Sequence, residues 1–158
     1  PIRFMMLNRS NDVELDFDFD KVKEKTKDNP VFYVQYAYAR INSLLRTSKI
    51  SFIKKIELDQ NNFKLNKLEE KIVRKVFEWP KIIESASRKY DLHKIPFYLY
   101  ELSTLFHAYW SKGNEDKTYK FLENEQIKRK ETLAIINLVA IVIQNGMKIL
   151  DVSLPKKM

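Results

Sequence analysis

Asn29-Pro30-Val31-Phe32-Tyr33-Val34-Gln35-Tyr36-Ala37-Tyr38-Ala39-Arg40-Ile41-Asn42-Ser43-Leu44-Leu45-Arg46 is the stretch on which the fold turns. Asn29 is suited to cap the free N–H groups of a first helical turn, and Pro30 suits the first helical position. At about 100° per residue, Val31, Val34, Tyr38, Ile41 and Leu45 share one stripe, the expected core face. A second stripe gathers Tyr33, Ala37, Arg40 and Leu44, with Tyr36 at its edge. Two phenols and a guanidinium beside small alanines make that face unusual.

The composition around this helix narrows the class. A chain of 158 residues can bury a real core and is most simply one domain. Hydrophobic residues at 44% and charged ones at 32% are globular proportions, which argues against wholesale disorder. Only two glycines are present, which speaks against a turn-dense all-β fold. Without cysteine there are no disulfides or thiolate metal sites, and a reducing compartment is compatible. No uninterrupted apolar run reaches about 18 residues and the first residues do not form a signal peptide, so a soluble cytoplasmic protein is expected.

Net charge is +8, unevenly placed. Residues 1–28 carry 6 basic and 7 acidic groups, whereas residues 29–158 carry a net +9. The basic character therefore begins at Asn29. Charge of this sign gathers polyanions, nucleic acid above all. A lysine-rich surface also simply solvates a helical protein, so charge alone leaves both readings open.

The chain begins without an initiator methionine, on the apolar run Ile2–Leu7, and is expected to be a fragment of something longer. Glu14–Asp20 alternates polar and apolar residues, as a short strand with one dry face would. Asp16, Asp18 and Asp20 do not make a calcium loop, because Lys21 and Lys27 fall where the loop glycine and final glutamate belong. Thr47–Lys67 reads as a long connection. Leu68–Glu78 and Ile82–Tyr90 read as helices separated by a break at Trp79-Pro80. A helix from about Pro96 to Trp110 carries Leu99, Leu102, Phe106 and Tyr109 on one face. Ser111–Lys117 reads as a loop, and Tyr119–Gln126 as a short helix. Thr132–Leu150 is apolar almost all round and predicts the central buried helix. A glycine in a helix interior costs about 1 kcal/mol, so Gly146 can be carried by burial of its neighbours. The expected architecture is an all-α helical bundle with a short β-containing N-terminal extension.

No catalytic residue emerges. His93 and His107 have no acidic or histidine partner at zinc spacing, so no metal site is expected. No glycine-rich loop is available to cradle phosphates. His107 lies opposite the apolar stripe of its helix. What remains is basic charge interleaved with aromatics: Tyr33, Tyr36 and Arg40 on one helix, Tyr109 and Trp110 on another. Unpaired bases are held this way, stacked on rings or guanidinium planes at about 1–3 kcal/mol each. Aromatics at helical spacing are also ordinary core residues, and spacing does not decide between the two.

Asp16-Phe17-Asp18, Asn29-Pro30 and Tyr33-Val34-Gln35-Tyr36-Ala37-Tyr38-Ala39-Arg40 resemble the start of the C-terminal domain of the arginyl-tRNA synthetase family. The resemblance continues through Tyr98-Leu99-Tyr100-Glu101-Leu102, Phe106-His107-Ala108-Tyr109-Trp110 and Val142-Ile143-Gln144-Asn145-Gly146-Met147, and ends at Pro155-Lys156-Lys157-Met158. It implies the DALR anticodon-binding domain, the helical bundle of class Ia synthetases, over residues 29–158. Residues 1–28 would then be the tail of a catalytic domain and a linker. The implied partners are the anticodon loop of arginine tRNA and the protein's own upstream catalytic domain, with no membrane and no DNA.

All arginine codons have G in the middle, so every arginine anticodon has cytosine there. By the resemblance Tyr36, Arg40, Tyr109, Trp110, Lys157 and Met158 approach that loop, while Tyr33 and Gln35 fix the helix and its neighbours. ATP and Mg²⁺ are expected of the full-length ligase and not of this fragment. Three positions depart from the family pattern. Tyr38 stands for an expected histidine, and its place on the core stripe points to packing. Trp110 stands for a tyrosine, which keeps stacking and removes a hydroxyl. Thr132 stands where an arginine commonly opens the last helix, with Arg129 or Lys130 nearby. The contrasting expectations are a non-enzymatic assembly module built on the apolar last helix, or the same domain on another synthetase.

Overall fold

The computed structural model describes residues 2–9, 19–24, 26, 28–51, 56–59 and 62–158. Helix α3 (Pro30–Thr47) forms as its sequence dictates. Asn29 Oδ1 accepts from the N–H groups of Val31 (3.2 Å) and Phe32 (3.4 Å). Its amide nitrogen donates to the carbonyls of Val22 (3.1 Å) and Glu24 (2.8 Å), so the cap also fastens the preceding segment. The helix closes on Lys49 in the left-handed region, with Lys49 N–H donating to Arg46 O (3.0 Å) and Ile50 N–H to Leu45 O (2.9 Å). This pair of bonds satisfies the last carbonyls without a glycine.

The expected core stripe is buried throughout: Val31, Val34, Tyr38, Ile41 and Leu45. Tyr38 fills a packing role, its hydroxyl accepting from Gln144 of the last helix. The second stripe divides, because Ala37 and Leu44 are also buried. The face left open is rotated toward Tyr36, Arg40, Ser43 and Arg46.

Around α3 stand α4 (Lys67–Phe77), α5 (Trp79–Lys89), α6 (Lys94–Glu115) and α7 (Lys130–Ile149). Helices α3, α4, α6 and α7 pack on one another, and α5 lies against α4 and α6. Short helices α1 (Ile2–Leu7) and α2 (Phe19–Lys23) precede them, and Phe4 of α1 is wholly buried in the same core. The expected strand over Glu14–Asp20 falls largely outside the described residues; its last two positions open α2. Among the described residues the strands are elsewhere. β1 (Leu122–Glu123) and β2 (Gln126–Ile127) make a two-residue antiparallel hairpin where a short helix was expected. Asn124 and Glu125 turn it with positive φ, as a tight hairpin turn requires.

Two helix boundaries differ from expectation. Trp79-Pro80 does not leave a gap: α5 begins at Trp79, and Pro80 sits in its first turn, where its missing N–H is no loss. Helix α6 runs through Gly113-Asn114 instead of ending in a loop there. A Cβ on Gly113 would lie 2.9 Å from the Tyr119 carbonyl oxygen, so the bare glycine lets the following 3₁₀ turn (Lys117–Tyr119) lie against the helix. Gly146 likewise stays helical, with Leu99 of α6 occupying the space a side chain would need. By length and composition α7 could cross a bilayer, but its packing against α3, α4 and α6 accounts for its apolarity.

One buried polar knot ties α4, α6 and α7 together. Glu69 has no solvent exposure, and its carboxylate accepts from Tyr109 Oη (2.8 Å), Thr132 Oγ1 (3.0 Å), Arg129 Nη1 (3.1 Å) and its own cap, Asn66 N–H (2.9 Å). Arg129 also donates to the Lys64 carbonyl. Each carboxylate oxygen is thus satisfied, the condition under which a buried charge is tolerable.

Candidate nucleic-acid interface

The open face of α3 meets α6 and the C-terminal segment around a cavity of about 450 Å³. Its lining is Tyr36, Ala39, Arg40, Ser43, Arg46, Trp110, Lys157 and Met158, with three cationic side chains and no acidic one. Positions 36, 40, 43 and 46 recur at helical spacing, so one face of α3 supplies most of the wall.

Arg40 is the centre of the cluster. Its guanidinium carbon lies 4.4 Å from the centroid of the Tyr36 ring and 4.7 Å from that of Trp110. Arg40 Nη2 donates to Tyr36 Oη at 3.0 Å, and Nη1 lies 3.3 Å from His107 Nδ1. His107 Nε2 lies 3.2 Å from the Tyr33 carbonyl oxygen, which can only accept. The proton is therefore assigned to Nε2, leaving Nδ1 to accept from Arg40. Burial pushes the His107 pKa below its ordinary value, and the Arg40 charge adds to that against the opposing Tyr33 carbonyl. A neutral ring fits this place: protonation would set two cations face to face. His107 is thus buried beneath the site, a supporting group rather than a surface one.

The remaining expected residues separate. Trp110 is half-buried and stacks on Phe121 (centroids 5.6 Å apart, 30° between planes). Lys157 and Met158 are exposed at the cavity rim. Tyr33 lies beside the cluster, its ring 4.4 Å from His107 and 5.2 Å from Tyr100, and burial raises its pKa. Gln35 turns to the C-terminal segment and donates to the Ser153 carbonyl at 2.8 Å, the fixing role expected of it. Tyr109 does not join them. It is 2% exposed on the opposite side of α6, and burial beside the Glu69 carboxylate pushes its pKa up to about 12. A phenol held this way has no face to offer a ligand, so Tyr109 leaves the candidate set.

The sequence reading missed Ser43 and Arg46 and gave His107 no more than a place opposite the apolar stripe. Spacing from Tyr36 could have found the first two. His107 needed the contact between α3 and α6, which no local pattern gives. Among the described residues no group of three His, Asp or Glu side chains comes together to hold a metal.

The model of the DALR anticodon-binding domain matches residues 34–158. The arginine–tRNA ligase of Pelagibacter ubique is 47% identical over 156 residues, covering 99% of this chain and 27% of that protein. That of Ruegeria pomeroyi is 42% identical over 161 residues, covering 99% of this chain and 28% of that protein. Among solved structures, an arginyl-tRNA synthetase from Campylobacter jejuni superposes with a TM-score of 0.80 at 25% identity, over 99% of this chain and 33% of that one. The chain thus spans about a quarter of the length of the curated relatives it matches. With the matched residues running from the first turn of α3 to Met158, and so including the cavity with its rings and cations, the chain belongs to the DALR anticodon-binding domain family.

Proposed function

We propose that this chain binds the anticodon arm of arginine tRNA as part of an arginine–tRNA ligase. The observation that carries the reading is the gathering of Tyr36, Arg40 and Trp110 with Lys157 and Met158 around one cavity without acidic side chains. An unpaired base gains stacking energy on such rings, while Lys157 meets the phosphate beside it. Cytosine presents two adjacent acceptors, O2 and N3, on its Watson–Crick edge. Arg40 offers paired N–H donors to that edge, whereas uracil would set its N3–H against a donor. The names of the relatives and the arginine codons, all with a middle G, point to that cytosine as the base read.

Adenylation of arginine, with ATP and Mg²⁺, belongs in this reading to a catalytic part joined through residues 1–28, and the protein works in the cytoplasm. The assembly-module alternative has less to stand on, since α7 gives most of its apolar residues to the core. The test is binding of the chain to an arginine anticodon stem-loop at several salt concentrations. Replacing the middle cytosine by uracil should weaken binding about tenfold or more, because a lost base-edge pair is worth roughly 1–3 kcal/mol. Affinity should fall steeply with salt as counterions are released. Equal affinity for every loop sequence would overturn the reading.

A further inference from the structure

The C-terminal segment reaches the cavity by a fixed route. After α7, Asp151 takes a left-handed conformation, with Asp151 N–H donating to Lys148 O (3.1 Å) and Val152 N–H to Met147 O (2.8 Å). This closure reverses the chain, and Val152 is buried in the core. From there residues 153–156 run alongside α3 in its own direction. Gln35, in the second turn of α3, donates to the Ser153 carbonyl at 2.8 Å, and Arg46, in the last turn, donates to the Lys156 carbonyl at 2.8 Å. Lys157 and Met158 follow Lys156, and both line the cavity facing Tyr36, Arg40 and Trp110.

We propose that Arg46 is a positioning residue whose hydrogen bond to Lys156 sets the C-terminal segment as the second wall of the base-binding cavity. The proposal rests on the anticodon-binding reading for its purpose, but the clasp itself is a property of the free chain. Without the bond, two residues carrying a cation and a flexible thioether would sweep solvent, and each binding event would have to order them. Held in place, Met158 offers a polarizable apolar surface to a base and Lys157 a charge to its phosphate. The simpler role for an exposed arginine here is a direct phosphate contact, and the two roles separate by experiment.

The first measurement uses no RNA: backbone amide order parameters of Ser153, Leu154, Lys156, Lys157 and Met158 by ¹⁵N relaxation. Arg46→Ala should drop those of Lys157 and Met158 below about 0.6, the flexible range, while the bundle stays near 0.85. Gln35→Ala, the second variant should the first not fold, should loosen Ser153 and Leu154 and leave Lys156 held. The second measurement is stem-loop affinity in a cycle with deletion of Lys157 and Met158. Arg46→Ala and the deletion should each weaken binding about tenfold, and together no more than either alone, as expected of groups acting through one contact. In the deletion background the salt slope should be the same with and without Arg46→Ala, whereas loss of a separate phosphate contact would lower it by about 1. Unchanged order parameters, additive losses or a slope lowered by Arg46→Ala in the deletion background would each overturn the proposal. Wild type failing to prefer the cytosine loop would instead overturn the anticodon-binding reading, with the relaxation result still deciding the clasp.

Discussion

Tyr109 and Trp110 are consecutive residues of α6, and each belongs to a cluster built from aromatic rings and an arginine. On one side Tyr109, Thr132 and Arg129 enclose the buried Glu69 carboxylate, and donors and acceptors answer one another. On the other side Trp110, Tyr36 and His107 surround the Arg40 guanidinium, which faces an open cavity with no acidic side chain in its lining. The first cluster is closed, neutralised and spans three helices; it specifies how α4, α6 and α7 meet. The second leaves a cation with only a phenol, a neutral imidazole and π-faces for company. A charge with such partners retains capacity for an incoming acceptor. Closure marks structure, and unfinished pairing marks a site.

The largest expected effect breaks the closed cluster. Glu69→Ala leaves Arg129 without its carboxylate and strips Tyr109 and Thr132 of an acceptor, and should cost about 3–5 kcal/mol of folding stability in urea titration. A loss under about 1 kcal/mol would mean the knot is incidental. Next, Tyr36→Ala should weaken stem-loop binding by about 1–3 kcal/mol, the worth of one base stack, with a smaller change in unfolding free energy. Equal losses in the two assays would make Tyr36 a core residue and dissolve the contrast.

A smaller effect sharpens it. Tyr109→Phe removes only the hydroxyl and should lower stability by roughly 1–2 kcal/mol, a hydrogen bond to a charged group, without touching affinity. The smallest is the pH response of His107. Burial, with Arg40, holds its pKa below the ordinary value of about 6.5, so the unfolded chain binds a proton that the folded chain resists. Its contribution is complete above about pH 6.5 and is lost as pH falls toward the lowered folded value. Between pH 7 and pH 5 the unfolding midpoint of wild type should therefore fall more than that of His107→Asn.

Much of the fold was legible because it rests on local chemistry. The Asn29-Pro30 start, the five-residue stripe of α3 and the apolar run of α7 each state their own geometry. What failed was punctuation: Trp79-Pro80 and Gly113-Asn114 read as breaks and are carried by helices, Tyr119–Gln126 read as a helix and holds a hairpin, and only packing decides which stretch turns. Gly113 stays helical because a backbone lies where its side chain would be. The site was half legible. Periodicity already placed Tyr109 on the apolar stripe with Leu99, Leu102 and Phe106, and that stripe described it better than the family resemblance did. His107 and the tail clasp at Arg46 join residues 67 and 110 positions apart, a separation at which sequence pattern carries no signal.

The contrast between the two clusters is tested most directly by titrating the ¹⁵N-labelled chain with a cytosine-centred arginine anticodon stem-loop and following every amide and both indole N–H signals. Binding at the open cluster predicts the largest shifts at Tyr36, Arg40, Trp110 and Lys157, with Tyr109, Thr132 and the Trp79 indole nearly still. Shifts centred on the exposed lysines and arginines of α4 and α5, with the Trp110 indole unmoved, would contradict it.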